Sequence, residues 1–169
     1  LDLEAGVART SYIVNGVTYT REYFVSYPDK VMVIRLTASQ PGSITVKARF
    51  TTPQTGASIT ASSGTIKLRG SLSNNGMVYE AQLRVQNTGG TRTTNASDVS
   101  VTNADSVTLV MAAGTDYVNS YPSYKGADPT TQVTNNLNAA AAKTARPAQL
   151  RGATATSAAI KRSSMPIVI

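Results

Sequence analysis

The sequence predicts a mainly β protein, an antiparallel β-sandwich followed by a short helical segment. Three observations carry that expectation. Apolar and polar residues alternate with a period of two through most of residues 1–115. Turn-forming clusters interrupt the alternation at short intervals, as in sandwiches built from hairpins. After Gly114 the alternation stops, and an alanine-rich stretch with helical spacing follows.

The elements follow in chain order. Leu1-Asp2-Leu3-Glu4 alternates and is predicted as a strand that Gly6 breaks. Val7–Val14 and Val17–Ser26 flank Asn15-Gly16, the dipeptide favoured in two-residue hairpin turns because both of its residues tolerate positive φ. In the second of these strands Val17, Tyr19, Tyr23 and Val25 share one face, while Thr18, Thr20, Glu22 and Phe24 share the other. Tyr27-Pro28-Asp29 is a turn in which Pro28 pre-sets φ and Asp29 can bond the following backbone. In "KVMVIRLTA", Val31 and Val33 point one way and Met32, Ile34 and Leu36 the other, so this strand is expected at the centre of a sheet, covered on both sides.

Gln40-Pro41-Gly42-Ser43 turns into "SITVKARF", with Ile44, Val46, Ala48 and Phe50 inward. Residues 51–64 read as loop with a weak strand around Ile59, and "TIKLRGSL" as a short strand. Asn74-Asn75-Gly76 leads into "MVYEAQLRV", where Glu80, Gln82 and Arg84 alternate with apolar residues and are expected to face solvent. "NTGGTRTT" reads as a hairpin loop, and "DVSVTNADSVTLVMAA" as two strands around Asn103-Ala104-Asp105. Residues 116–129 form a tyrosine-rich loop. Asp128-Pro129-Thr130 starts a helix with Pro at its first position, and Val133, Leu137 and Ala140 or Ala141 make one helical face. Pro147 is expected to end that helix and begin another turn.

Composition narrows the chemistry. The 169 residues contain no Cys and no His, which removes thiol nucleophiles, imidazole bases, disulfides and the commonest zinc ligands; no metal or cofactor is expected. The net charge is +7, yet the Lys and Arg residues lie singly along the chain, without the clustered patch that nucleic-acid binding needs. No apolar run approaches the ~20 residues of a membrane-spanning helix.

Acid-base catalysis needs two carboxylates held together with tuned pKa values. Each of the nine acids is expected to be solvated or bonded in a turn, Asp116 being the least ordinary because it neighbours Tyr117. No catalytic residue is predicted. "NTGGTRTT" has the glycines of a phosphate loop but leads toward strands. The candidate sugar-contact residues are Tyr117, Tyr121 and Tyr124, whose rings can stack on a sugar. Equally, they can anchor the loop by burying the rings and exposing the hydroxyls.

One long pattern points to a family. "LDLEAGVARTSYIVNGVTYTREYFVSYPDKVMVIRLTASQPGSITVKARF" resembles the amino-terminal domain of glycoside hydrolase family 95, the bacterial and plant α-L-fucosidases. Leu1-Asp2-Leu3, Tyr12, Gly16-Val17, Tyr19, Arg21-Glu22, Phe24, Pro28-Asp29, Arg35-Leu36 and Pro41-Gly42-Ser43 carry the pattern. "SVTLVMAAGTDY", "YKGADP" and the alanine-rich helix look like the end of the same domain. The resemblance covers about the first 150 residues.

It implies a supersandwich-like domain ahead of a helical linker and an (α/α)6 catalytic barrel, with the catalytic residues in the barrel. It implies a fucosylated glycan as substrate of the parent enzyme and the barrel as this chain's partner. A periplasmic or secreted bacterial location is implied rather than a cytoplasmic one. On this basis residues 1–115 are the sandwich portion, 116–129 the loop and 130–151 the helical linker. The sandwich is expected to be incomplete, with an open edge where amino-terminal strands belong. The chain alone is expected to be inactive, its hairpins serving cross-strand packing. A stand-alone carbohydrate-binding or adhesion-type sandwich is the alternative.

Residues 152–169 depart from the pattern. Thr154, Ser157 and Ala158 stand where His, Asp and Tyr are expected, which points to a shifted reading frame near Arg151 and to a loosely attached tail.

Overall fold

A computed structural model describes residues 1–144 of the chain. The expectations for Pro147 and for the tail lie outside the described residues. Among the described residues, ten strands and one helix are arranged in three layers. The strands are β1 (Ala8–Val14), β2 (Val17–Ser26), β3 (Val31–Ala38), β4 (Ile44–Arg49), β5 (Ser58–Ser62), β6 (Thr65–Ser71), β7 (Val78–Thr88), β8 (Thr91–Thr94), β9 (Asp98–Ala104) and β10 (Ser106–Thr115); the helix is α1 (Thr130–Thr144). A seven-stranded sheet runs β1-β2-β3-β10-β7-β6-β5, and a three-stranded sheet runs β4-β9-β8. Every pairing between these strands is antiparallel. The mainly β sandwich with a carboxy-terminal helix is therefore the observed fold.

Local chemistry explains most of the turns. Asn15 and Gly16 have φ of 50° and 77°, and Val14 pairs directly with Val17, as a two-residue hairpin with left-handed residues requires. Tyr12 and Tyr19 face each other across this hairpin with ring centroids 5.4 Å apart. The Arg21 guanidinium lies over the Tyr12 ring, and Arg9 bonds Glu22 on the opposite face. These are cross-strand contacts of the kind that stabilise a sheet by a few tenths to 1 kcal/mol each.

Two cores sit on opposite faces of the large sheet. Between the sheets, Ile34, Ile66, Leu83, Val85 and Leu109 pack on Ile44, Ala48, Val99 and Val101. Under the helix, Val31, Val33, Val110 and Ala112 pack on Val133, Leu137 and Ala140. β3 contributes to both, so its double apolar face has the predicted meaning. The helix stripe is buried as expected, with Leu137 fully inaccessible.

Four expectations change. Leu1–Glu4 is no strand; it is a turn closed by the Asp2–Val7 bridge, because four alternating residues are too few to select a partner. β8, a run of Thr and Arg without an apolar face, was hidden inside the predicted loop. Gly89-Gly90 forms no hairpin within one sheet. It is the corner at which the chain leaves β7 of the large sheet for β8 of the small one. A Cβ on Gly90 would stand 2.2 Å from the Thr102 carbonyl, and its φ is +64°, so glycine alone fits that corner. Fourth, Glu80 and Gln82 are buried, because α1 covers the face that the alternation assigned to solvent.

The three-stranded sheet leaves part of its larger partner uncovered. β1 is exposed along nearly its whole length, and β4 is an edge strand facing a groove of about 380 Å³ that Tyr12, Tyr19 and Arg21 help to line.

Candidate functional site

Two clusters sit at the helix end of the large sheet. The first is the predicted tyrosine loop. β10 ends at Thr115, and the next residue, Asp116, is buried. Its main chain donates to the Val78 carbonyl at 3.1 Å, and its carboxylate accepts from the Val78 amide at 2.9 Å. The other end of the loop returns to the same residue, where the Gly126 amide donates to the Asp116 carbonyl at 2.6 Å. Within the loop Val118 N donates to Tyr124 O at 3.1 Å and Tyr124 N to Ser120 O at 2.9 Å. Tyr124 takes a left-handed φ of 51°, and Tyr121-Pro122 is a cis peptide.

This backbone brings all three predicted tyrosines together. The rings of Tyr117 and Tyr124 lie parallel within 3°, with centroids 6.3 Å apart, and Tyr121 meets Tyr124 edge-on at 6.3 Å. The rings are not buried anchors. Tyr121 is 84% exposed, and Tyr117 and Tyr124 are about half exposed.

The second cluster was missed in the sequence. Glu80 Oε2 accepts from Arg69 at 2.8 Å, from the Thr130 hydroxyl at 2.7 Å and from Lys67 at 3.2 Å, while Oε1 accepts from the Gln82 amide at 2.7 Å. Arg69 also bonds the Asp128 carboxylate, and Asp128 accepts the Thr130 amide at 2.9 Å as a side-chain cap of α1. Burial pushes the Glu80 carboxyl up, but the four donors Gln82, Thr130, Arg69 and Lys67 outweigh it and hold the pKa below the usual range. Asp128 is lowered by Arg69 first and by Thr130 next.

Both acids are held ionised by the hydrogen-bond donors around them, whereas a general acid at neutral pH needs a raised pKa. The arrangement therefore fastens helix to sheet. Gln82 extends it to Thr134 on the next turn of α1, at 2.9 Å. The only sequence signal for this cluster was a Glu and a Gln two residues apart on a strand that also carried a clean apolar face.

At the other end of α1, Lys143 bonds Asp29, whose carboxylate also accepts from the Ser26 hydroxyl at 2.7 Å. Asp29 was expected to bond the following backbone. Its carboxylate is taken up by the helix instead, and the Lys143 ammonium first, then Ser26, lowers its pKa. Among the described residues no three acids lie close enough to hold a metal ion, and no helix is long and apolar enough to cross a membrane.

Comparison with known proteins agrees with this fold. The model of the glycosyl hydrolase family 65 N-terminal domain matches residues 1–120. The α-L-fucosidase 2 of Arabidopsis thaliana is 27% identical over 164 residues, spanning 82% of this chain and 20% of the plant protein. A solved structure titled "Putative kojibiose phosphorylase from human microbiome" superposes with a TM-score of 0.53 over 92% of this chain and 23% of its own, at 10% identity. At that identity the likeness concerns the fold alone. The chain thus spans about a fifth of these relatives. With the family match running from the first turn through the last strand, and with the sandwich that it implies observed, this chain belongs to the glycosyl hydrolase family 65 N-terminal domain family.

Proposed function

We propose that this β-sandwich is a non-catalytic amino-terminal part of an α-L-fucosidase-like glycoside hydrolase, and that it braces a catalytic barrel carried by the same polypeptide. One observation carries the proposal. The Glu80–Arg69–Asp128–Thr130 cluster makes α1 part of the same rigid body as the large sheet, so a chain leaving α1 would enter the next domain at a fixed angle. The similarity to a plant α-L-fucosidase supports fucosylated glycans as substrates of the whole enzyme. Residues 116–129 act as the surface loop and 130–151 as the linker. The acids of the described residues take no part in catalysis.

A stand-alone carbohydrate-binding sandwich is the second reading, favoured by the exposed tyrosine cluster. The DNA encoding this segment separates the two. A reading frame continuing into a helical barrel, whose full product hydrolyses an aryl α-L-fucoside while the purified chain does not, supports the first. Clear turnover of the aryl α-L-fucoside by the purified chain, or flanking DNA without a barrel, refutes it.

A further inference from the structure

We propose that the 116–128 loop is a carbohydrate-contact surface, on which Tyr121 and Tyr117 stack against pyranose rings of a neutral glycan. The inference deepens the reading above, since it names a part of this domain that touches the glycan.

The loop is preorganised. Exposed tyrosines on a floppy loop would lose their advantage to ordering entropy, at about 0.5–1.5 kcal/mol per side chain immobilised. Here both ends of the loop are tied to the buried Asp116, and Tyr117 and Lys125 form a bridge between them. A Cβ on Gly126 would stand 2.3 Å from the Val118 side chain, so the closed end is packed tightly. Tyr124 is the wedge. It holds Tyr117 parallel and offset and Tyr121 edge to face, the two arrangements that aromatic quadrupoles favour. Tyr121 is left with its ring in solvent.

The chemistry of the surface also matches a saccharide. One side of a pyranose ring is a flat array of C–H groups, which matches an aromatic face, and its rim is hydroxyl. Around these rings the exposed residues are Asn119, Ser120, Ser123 and Lys125, which offer donors and acceptors to that rim. The polar edge makes a poor apolar docking site for a protein, because Val118, Pro122 and Ala127 add only small, separate pieces of exposed aliphatic area. Lys125 is the one cation among residues 116–128, too few to follow a phosphate backbone. A neutral saccharide fits the aromatic faces, the hydroxyl-rich surround and the low charge together.

Saturation-transfer NMR on the purified chain, with 2′-fucosyllactose as the probe, tests the proposal. Saturable binding with a Kd on the order of 1–10 mM is expected, with the transfer arising from tyrosine rings. Tyr121→Ala and Tyr117→Ala should each weaken it by fivefold or more. Tyr27→Ala, which removes a comparably exposed ring from a different turn, should leave it unchanged. The Tyr121 side chain is in solvent, so matched thermal melts will show that its variant is folded. Absence of saturable binding at tens of millimolar, or unchanged binding in a folded Tyr121→Ala protein, overturns the proposal. Either result leaves the link to a catalytic barrel standing, because that link is decided by the encoding DNA and by full-length turnover.

Discussion

Replacing Glu80 by Gln keeps the shape of the buried cluster and removes its charge. The carboxylate accepts two hydrogen bonds from cations, at 2.8 Å from Arg69 and 3.2 Å from Lys67. A hydrogen bond to a charged group contributes about 1.5–3 kcal/mol and a neutral one about 0.5–1.5. Losing the charge therefore costs roughly 1 kcal/mol at each cation, less some screening because both side chains are about one-third exposed. The new amide also points a donor at the donor of Gln82. Gln82 can turn its amide oxygen toward it, with the Thr134 hydroxyl then donating where it had accepted, so this pair rearranges without losing a bond. The loss at the cations is partly offset because a neutral side chain is easier to bury. The net expectation is about 1–2 kcal/mol at pH 7, a shift of roughly 0.5–1 M in the urea midpoint.

The cost should depend on pH. Glu80 has a lowered pKa in the folded protein, so its carboxylate stabilises the fold fully above the unfolded-state value near 4.3 and loses that contribution as pH falls through the folded-state value. Asp29, also lowered, shares no partner with Glu80 and cancels in the difference, whereas Asp128 shares Arg69 with Glu80 and cancels only in part. Urea melts followed by far-UV circular dichroism at pH 7 and pH 3 should show the wild-type advantage shrinking in acid. Equal stability at pH 7, or a gap that is the same at both pH values, would refute the assignment of Glu80 as the ionised fastening of α1.

Three further outcomes are expected. Gly16→Val should lower stability by about 1 kcal/mol or more through backbone strain alone, since the site is open space at φ +77°; an unchanged melt would count against the Asn15-Gly16 turn. Gly90→Ala should cost more than that, because a strained φ is joined by a collision with the Thr102 carbonyl; hydrogen exchange at β8 and β9 should report the damage first, and full protection there would contradict the packed corner. Leu137→Ala should cost about 2–5 kcal/mol by emptying the centre of the layer between α1 and the large sheet; a loss under 1 kcal/mol would mean that the helix is not docked as described.

Much of this molecule is written in local patterns. The Asn15-Gly16 hairpin is legible because a two-residue turn between right-twisted strands demands left-handed residues, and few dipeptides supply them. The start of α1 is legible because Pro129 costs nothing at a position whose amide has no partner. The two-faced β3 is legible because a side-chain period of two sorts residues onto faces without knowledge of the rest of the chain.

The same sorting is blind to what will cover a face. Glu80 and Gln82 looked solvent-facing because the element that buries them, α1, begins about fifty residues later, and nothing near Glu80 announces it. Arg69 and Asp128 are 59 residues apart, and only the docking of the helix makes them partners. The switch of sheets at Gly89-Gly90 was read as a hairpin for a similar reason, since a glycine pair permits either route and the packing of β8 on β9 selects one. The three tyrosines could be named from the sequence as candidates. Whether their rings lay buried or gathered in solvent depended on where Asp116 was tied, and that was decided by the edge of a strand 38 residues earlier.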